Sequence, residues 1–127
     1  MTQLLMVGLG GFVGVVSRFL LVGLVQSASG ERFPFGTLAV NVLGCAVIGA
    51  VTVVAETRSG LSDGVRLFLV VGLLGGFTTF SAFGNETLAL LRAGDGGSAA
   101  ANVLANVVLA IGAVWVGRVL VQTVVSG

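Results

Sequence analysis

Any chemistry in this chain must come from a short set of polar groups in an apolar background. They are Arg18, Thr37, Asn41, Thr78, Thr79, Ser81, Asn85 and Glu86, with Asn102 and Asn106 further on and Phe80 and Phe83 three residues apart. The chain has no histidine and a single cysteine, Cys45, so zinc sites, Ser-His-Asp triads and Cys-His pairs cannot form within one copy. The remaining acid, amide and hydroxyl groups make no recognisable catalytic constellation. They suit permeation, which needs polar groups and ring edges along a narrow path with few fixed charges. The rim of a phenylalanine ring is electropositive, so Phe80 and Phe83 on one helix face offer a small anion weak contacts that do not trap it. The Asn41 amide can donate a hydrogen bond to the same ion. Backbone carbonyls freed anywhere between Gly75 and Thr78 would suit a small hard cation, and two per chain give four ligands across a two-fold axis.

The elements that position these residues are membrane spans. Hydrophobic residues make up 56% of the 127-residue chain and charged residues only 9%, against about 25% in a soluble domain. That length holds four spans with short loops and excludes a separate soluble domain. The net charge of +1 leaves no basic patch for nucleic acid. Met1-Thr2-Gln3 lacks the basic start of a signal peptide, so the first apolar run is read as a retained span. The predicted spans are residues 4–25, 37–55, 64–92 and 99–121 of an all-α membrane protein. The third is far longer than the roughly 20 residues a bilayer requires. It should break between Gly75 and Ser81, where paired glycines weaken the helix and hydroxyls can bond to released backbone.

Within the first span, Gly10 and Gly14 form a small-xxx-small pair that admits another helix closely. Arg18 must snorkel, face water or find a partner. Thr37, Asn41 and Gly44 lie on one stripe of the second span, so the asparagine should point into the bundle, as an anion donor or as glue between helices. Trp115 is expected at the membrane interface. Four spans put both termini and the second loop on one side with Arg58, Arg66 and Arg118, against Arg32, Arg92 and an outward Arg18. Three against three gives the positive-inside rule nothing to act on. A thin bundle without orientation bias suits an antiparallel homodimer.

Three stretches carry a resemblance. Gly75-Gly-Phe-Thr-Thr-Phe-Ser-Ala-Phe83, Gly36-Thr-Leu-Ala-Val-Asn41-Val-Leu-Gly44 and Gly10-Gly-Phe-Val-Gly-Val-Val-Ser-Arg18 resemble the signature segments of the Fluc (CrcB) fluoride channel family, in order and spacing. The resemblance implies a dual-topology antiparallel homodimer in the bacterial inner membrane that exports fluoride passively. It further implies one structural sodium ion at the dimer centre, held by the backbone carbonyls of Gly75 and Thr78. By motif position Asn41, Phe80 and Phe83 would line the fluoride path, with Thr37, Thr79, Ser81, Glu86 and Asn106 as pore neighbours and Arg18 near a vestibule. Two departures stand out: Ala82 replaces a usual hydroxyl residue, and Asn102 and Asn106 stand where members often carry tyrosine and serine.

Two other readings compete. A four-span drug/proton antiporter of the small multidrug resistance type shares balanced charge and dual topology, but it depends on a carboxylate in the first span, and residues 4–25 contain none. A non-transporting assembly subunit would use the asparagines and glycines only to hold helices together.

Overall fold

The computed structural model describes residues 1–57 and 60–127, so Arg58 of the charge comparison lies outside the described residues. Helix α1 spans Thr2–Ser29 and α2 spans Phe35–Glu56. Helix α3 (63–77) begins as the α-helical turn Asp63–Arg66, widens to a π-helix over Leu67–Leu74 and closes with Gly75–Phe77. Helix α4 spans Phe80–Arg92 and α5 spans Gly96–Val125. With 63–92 taken as one unit, four helices among the described residues are long and apolar enough to cross a membrane. The architecture is all-helical.

Helices α1, α2 and α5 run past the apolar limits set by the sequence, and at the end of α1 polar residues bond back into the helix. Ser27 and Ser29 donate to the carbonyls of Leu24 and Val25 at 2.9 and 2.7 Å, which keeps α1 helical through residues expected to turn. Gln26 then seats the first loop, donating to the Phe33 carbonyl at 2.9 Å and accepting the Gly36 amide at 3.1 Å. The last loop is shorter than expected for the same kind of reason. Asp95 caps α5 by accepting the Ser98 amide at 3.0 Å, and that bond holds its exposed carboxyl below the ordinary range.

Glycines bring the helices together in two pairs. On α1, a methyl group at Gly10 would meet the Phe68 carbonyl and one at Gly14 the Leu73 carbonyl, so α3 lies against the α1 backbone. On the opposite pair, Gly49 of α2 faces the Val114 carbonyl while Gly117 of α5 faces the Ala46 carbonyl. Arg118 reaches Glu56 at 3.0 Å, placing the end of α2 beside α5 on the side predicted for both. Little apolar volume is enclosed: Val40, Val53, Leu74, Phe83 and Ala99 are buried, whereas Phe12, Phe19, Phe80 and Trp115 face outward. An apolar exterior is what a lipid-facing bundle presents, and van der Waals packing at the glycines must hold it together.

Candidate functional site

The site forms where the third apolar segment leaves helical geometry. Thr78 and Thr79 are extended, with φ/ψ of −87°/160° and −152°/119°. This interval is narrower than the Gly75 to Ser81 expectation. Gly75, Gly76 and Phe77 stay helical because the Thr78 amide still reaches the Leu74 carbonyl at 3.0 Å, and the Thr78 hydroxyl joins it at 2.9 Å. On the far side Thr79 caps α4, its Oγ1 accepting the Ala82 amide at 3.2 Å, so Phe80 and Ser81 are already helical.

Side chains from α1 and α2 satisfy the backbone in between. The Thr79 amide, which a continuous helix would direct to the Gly75 carbonyl, donates instead to Asn41 Oδ1 at 2.8 Å. Asn41 Nδ2 returns the contact by donating to the Thr79 carbonyl at 3.0 Å. From α1, Arg18 Nη1 donates to the Thr78 carbonyl at 3.1 Å, so the arginine finds its partner in the main chain. Gly44 completes the α2 stripe: a methyl there would collide with the Thr78 side chain. The third member, Thr37, donates to Glu86 Oε1 at 2.7 Å, while Glu86 Oε2 is buried without a partner among the described residues.

Asn41 also connects the break to α5. Its Nδ2 donates a second bond, to Asn106 Oδ1, at 3.0 Å. Asn106 Nδ2 in turn donates to the main-chain and side-chain oxygens of Asn102 at 2.9 and 3.0 Å. Asn102 Nδ2 donates to Thr87 Oγ1 at 3.0 Å, and that hydroxyl donates to the Phe83 carbonyl at 2.7 Å. An amide N–H only donates, so the Thr79 amide sets which way Asn41 faces, and every amide after it follows. Both Asn41 protons are thus engaged within the protein. An anion at this amide must take the place of the Thr79 carbonyl or of Asn106 Oδ1.

A cleft of about 340 Å³ collects most of the residues singled out from the sequence: Asn41, Gly75, Thr78, Thr79, Phe80, Phe83 and Asn106. The two rings are neighbours, centroids 5.3 Å apart and planes tilted by 57°, so a ring edge of each can face one point. Their surroundings differ: Phe83 is 8% exposed and Phe80 82%. A second, larger cleft of about 900 Å³ brings together Arg18, Thr37, Thr79, Ser81 and Glu86. Thr79 lines both, so the break lies between the two spaces. Asn102 and Thr87 were not among the candidate site residues. Position alone could have suggested Asn102, which shares a helix face with Asn106 four residues on, but nothing pairs it with Thr87 before the helices are packed.

Comparison with known proteins bears on this arrangement. Residues 5–118 match the model of the family described as CrcB-like protein, Camphor Resistance (CrcB). The chain belongs to the CrcB family. Among curated members, the fluoride-specific ion channel FluC of Methylobacillus flagellatus is 46% identical over 123 residues, covering 96% of each chain. The protein of the same name from Opitutus terrae is 48% identical over 121 residues, 94% of this chain and 92% of the relative. That of Geobacter sulfurreducens is 47% identical over 117 residues, 92% and 94%. These CrcB relatives are named as channels and not as enzymes, and the matched interval takes in the break, both clefts and the asparagine ladder.

Proposed function

We propose that the chain is a fluoride-selective channel through which the ion leaves the cell passively across the bacterial inner membrane, lowering cytoplasmic fluoride. The observation that carries this reading is the meeting of the Asn41 amide with the Phe80 and Phe83 rings in one cleft at a helix break. The names of the CrcB relatives supply the ion. Arg18 and Glu86 in the larger cleft put a cation and a carboxylate at its approach, where the guanidinium attracts the anion and Thr37 holds one carboxylate oxygen. Ser81 and Thr79, whose oxygens are 3.4 Å apart, offer hydroxyls between that approach and the rings.

The channel works as an antiparallel homodimer of dual topology. Two features support this: the balanced arginines of the sequence, and a Phe80 ring that one copy leaves 82% exposed although it borders the cleft. A second copy would cover that ring. The residues also fit a structural sodium ion. The Gly75 carbonyl has lost its helical amide to Asn41, and the Thr78 carbonyl accepts Arg18 on one lone pair and keeps the other. When bound, the ion would neutralise carbonyl dipoles from both copies at their junction. Arg18 holds the Thr78 carbonyl directly, and Asn41 fixes the same peptide by accepting the Thr79 amide.

Reconstitution into liposomes with a fluoride electrode tests the reading. Fast, fluoride-selective efflux without proton coupling is expected. Flux that appears only with a drug gradient would mark an antiporter, and a silent membrane would leave only the assembly role.

A further inference from the structure

Three of the chain's asparagines, Asn41, Asn102 and Asn106, are tied into the packed bundle. The fourth, Asn85, is exposed and has no hydrogen-bond partner among the described residues. Its depth gives that a meaning. The spanning unit is Asp63–Arg92, and the break at Thr78 and Thr79 falls at its middle. Asn85 stands between Thr79 and Arg92, roughly 10 Å from each at about 1.5 Å of rise per residue. A hydrocarbon core about 30 Å thick therefore still encloses it. Against lipid tails an amide there has nothing to bond to and is costly to bury. The face of α4 that carries Asn85 must meet water or protein.

Helical geometry separates the two. With about 3.6 residues per turn and Ser81 as the origin, Asn85 projects about 40° round the helix, Ala89 about 80°, Ala82 about 100° and Glu86 about 140°. Ser81, Ala82 and Glu86 line the cleft of about 900 Å³. Glu86 and Ala89 line a third cleft, of about 370 Å³, whose walls include Glu31 and Arg32 of the first loop. Asn85 thus falls inside the arc from Ser81 to Glu86, on the wall that runs past both clefts to the loop.

We infer that Asn85 is a fluoride-binding residue on the approach to the break, a neutral donor that an ion entering beside the first loop meets before it reaches Ser81. The inference rests on the channel reading above. Asn85 and Ser81 are neighbours one turn apart, and the Ser81 and Thr79 oxygens are 3.4 Å apart, so donors follow one another along α4 to the break. Glu86 holds the other edge of this wall with one oxygen unpartnered among the described residues, and its carboxylate repels an anion. An uncharged N–H on the near edge replaces part of the ion's water without adding a second positive charge beside Arg18, which would trap it. The gain applies to any small anion. Asn85 therefore sets how readily the mouth fills and leaves selection to the narrow cleft beyond.

Accessibility and flux test this together, on the full-length protein in liposomes. In a Cys45→Ala background, which removes the native thiol, Asn85→Cys is expected to react with a membrane-impermeant, charged methanethiosulfonate added to the water. A thiol that stays unreacted would lie against lipid or under a second copy, and overturns the inference. Fluoride flux is then compared in the parent, Asn85→Leu and Asn85→Gln. At limiting fluoride Asn85→Leu is expected to conduct about fivefold less, the scale of one net hydrogen bond, and to approach the parent as fluoride is raised. Asn85→Gln keeps the donor and should track the parent throughout. A leucine deficit that is equal at low and high fluoride, or that glutamine shares, marks a merely structural residue and overturns the inference, as does no deficit at all. A parent that carries no fluoride ends the channel reading itself; a conducting parent whose Asn85→Cys thiol is silent removes only the role of Asn85.

Discussion

Thr37 on α2 and Glu86 on α4 are joined by a 2.7 Å bond in which the hydroxyl donates to one carboxylate oxygen, and the other oxygen is buried with no partner among the described residues. Thr37 is itself 2% exposed, so its hydroxyl has no solvent as a ready substitute. Thr37→Val is expected to cost about 1–3 kcal/mol, because it strands a buried acceptor. Glu86→Gln should cost less, since its amide oxygen still accepts from Thr37 and no charge remains to be compensated. Unfolding in detergent, compared across the two variants, checks the order. A Thr37→Val protein as stable as the parent would show that water already serves Glu86.

The ring pair makes a separable prediction. Phe80→Ile and Phe83→Ile should each reduce fluoride flux more than tenfold, because the electropositive rim is lost while volume is roughly kept. Stability should distinguish them: Phe83 is buried within its own copy and Phe80 is not, so Phe83→Ile should lower the melting temperature more than Phe80→Ile. Unaltered flux in both would reject a ring-lined path.

How much of this was legible beforehand follows from which interactions are local. The spans could be read because hydrophobicity along 127 residues needs no knowledge of neighbours, and the Thr37, Asn41 and Gly44 stripe because helical spacing fixes which side chains share a face. All three do meet the segment 78–86. The width of the break was not legible. Glycines 75 and 76 weaken a helix, but the Thr78 amide and hydroxyl both close on Leu74, and that decides where the turn stops. The π-helical Leu67–Leu74 has no counterpart in the sequence pattern, and the partnership of Asn102 with Thr87 exists only once α5 packs on α4. The exposure contrast between Phe80 and Phe83 is equally non-local.

Glycine substitutions should divide by what surrounds them. A methyl at Gly49 or Gly117 would meet backbone carbonyls of the facing helix, which cannot swing aside, so Gly49→Ala and Gly117→Ala should separate α2 from α5. A loss of at least about 2 kcal/mol is expected from such overpacking. Gly8 and Gly112 have open space within 4 Å, and alanine there should stabilise by up to about 1 kcal/mol through helix propensity. Melting temperatures of the four single variants test the division. Equal effects at all four would mean that the close approach is not what these glycines provide.

Arg18 and Thr78 yield a prediction about the proposed cation site whose sign runs against intuition. The guanidinium sits on the Thr78 carbonyl at 3.1 Å, a positive charge bound to an oxygen that would also serve sodium. Two cations sharing one carbonyl repel, so Arg18→Leu should tighten sodium binding even though it removes a group from the break. Thr78→Ala should change sodium affinity little, because the side-chain hydroxyl is turned away to Leu74 at 2.9 Å and the main-chain oxygen is kept. Sodium titration of the protein, followed by thermal stability with lithium or potassium as controls, reads both variants. If Arg18→Leu weakens sodium binding, the arginine acts by holding the Thr78 carbonyl in position, and its alignment outweighs its charge. If Thr78→Ala abolishes binding, the hydroxyl is the ligand and the assignment to main-chain oxygens is wrong.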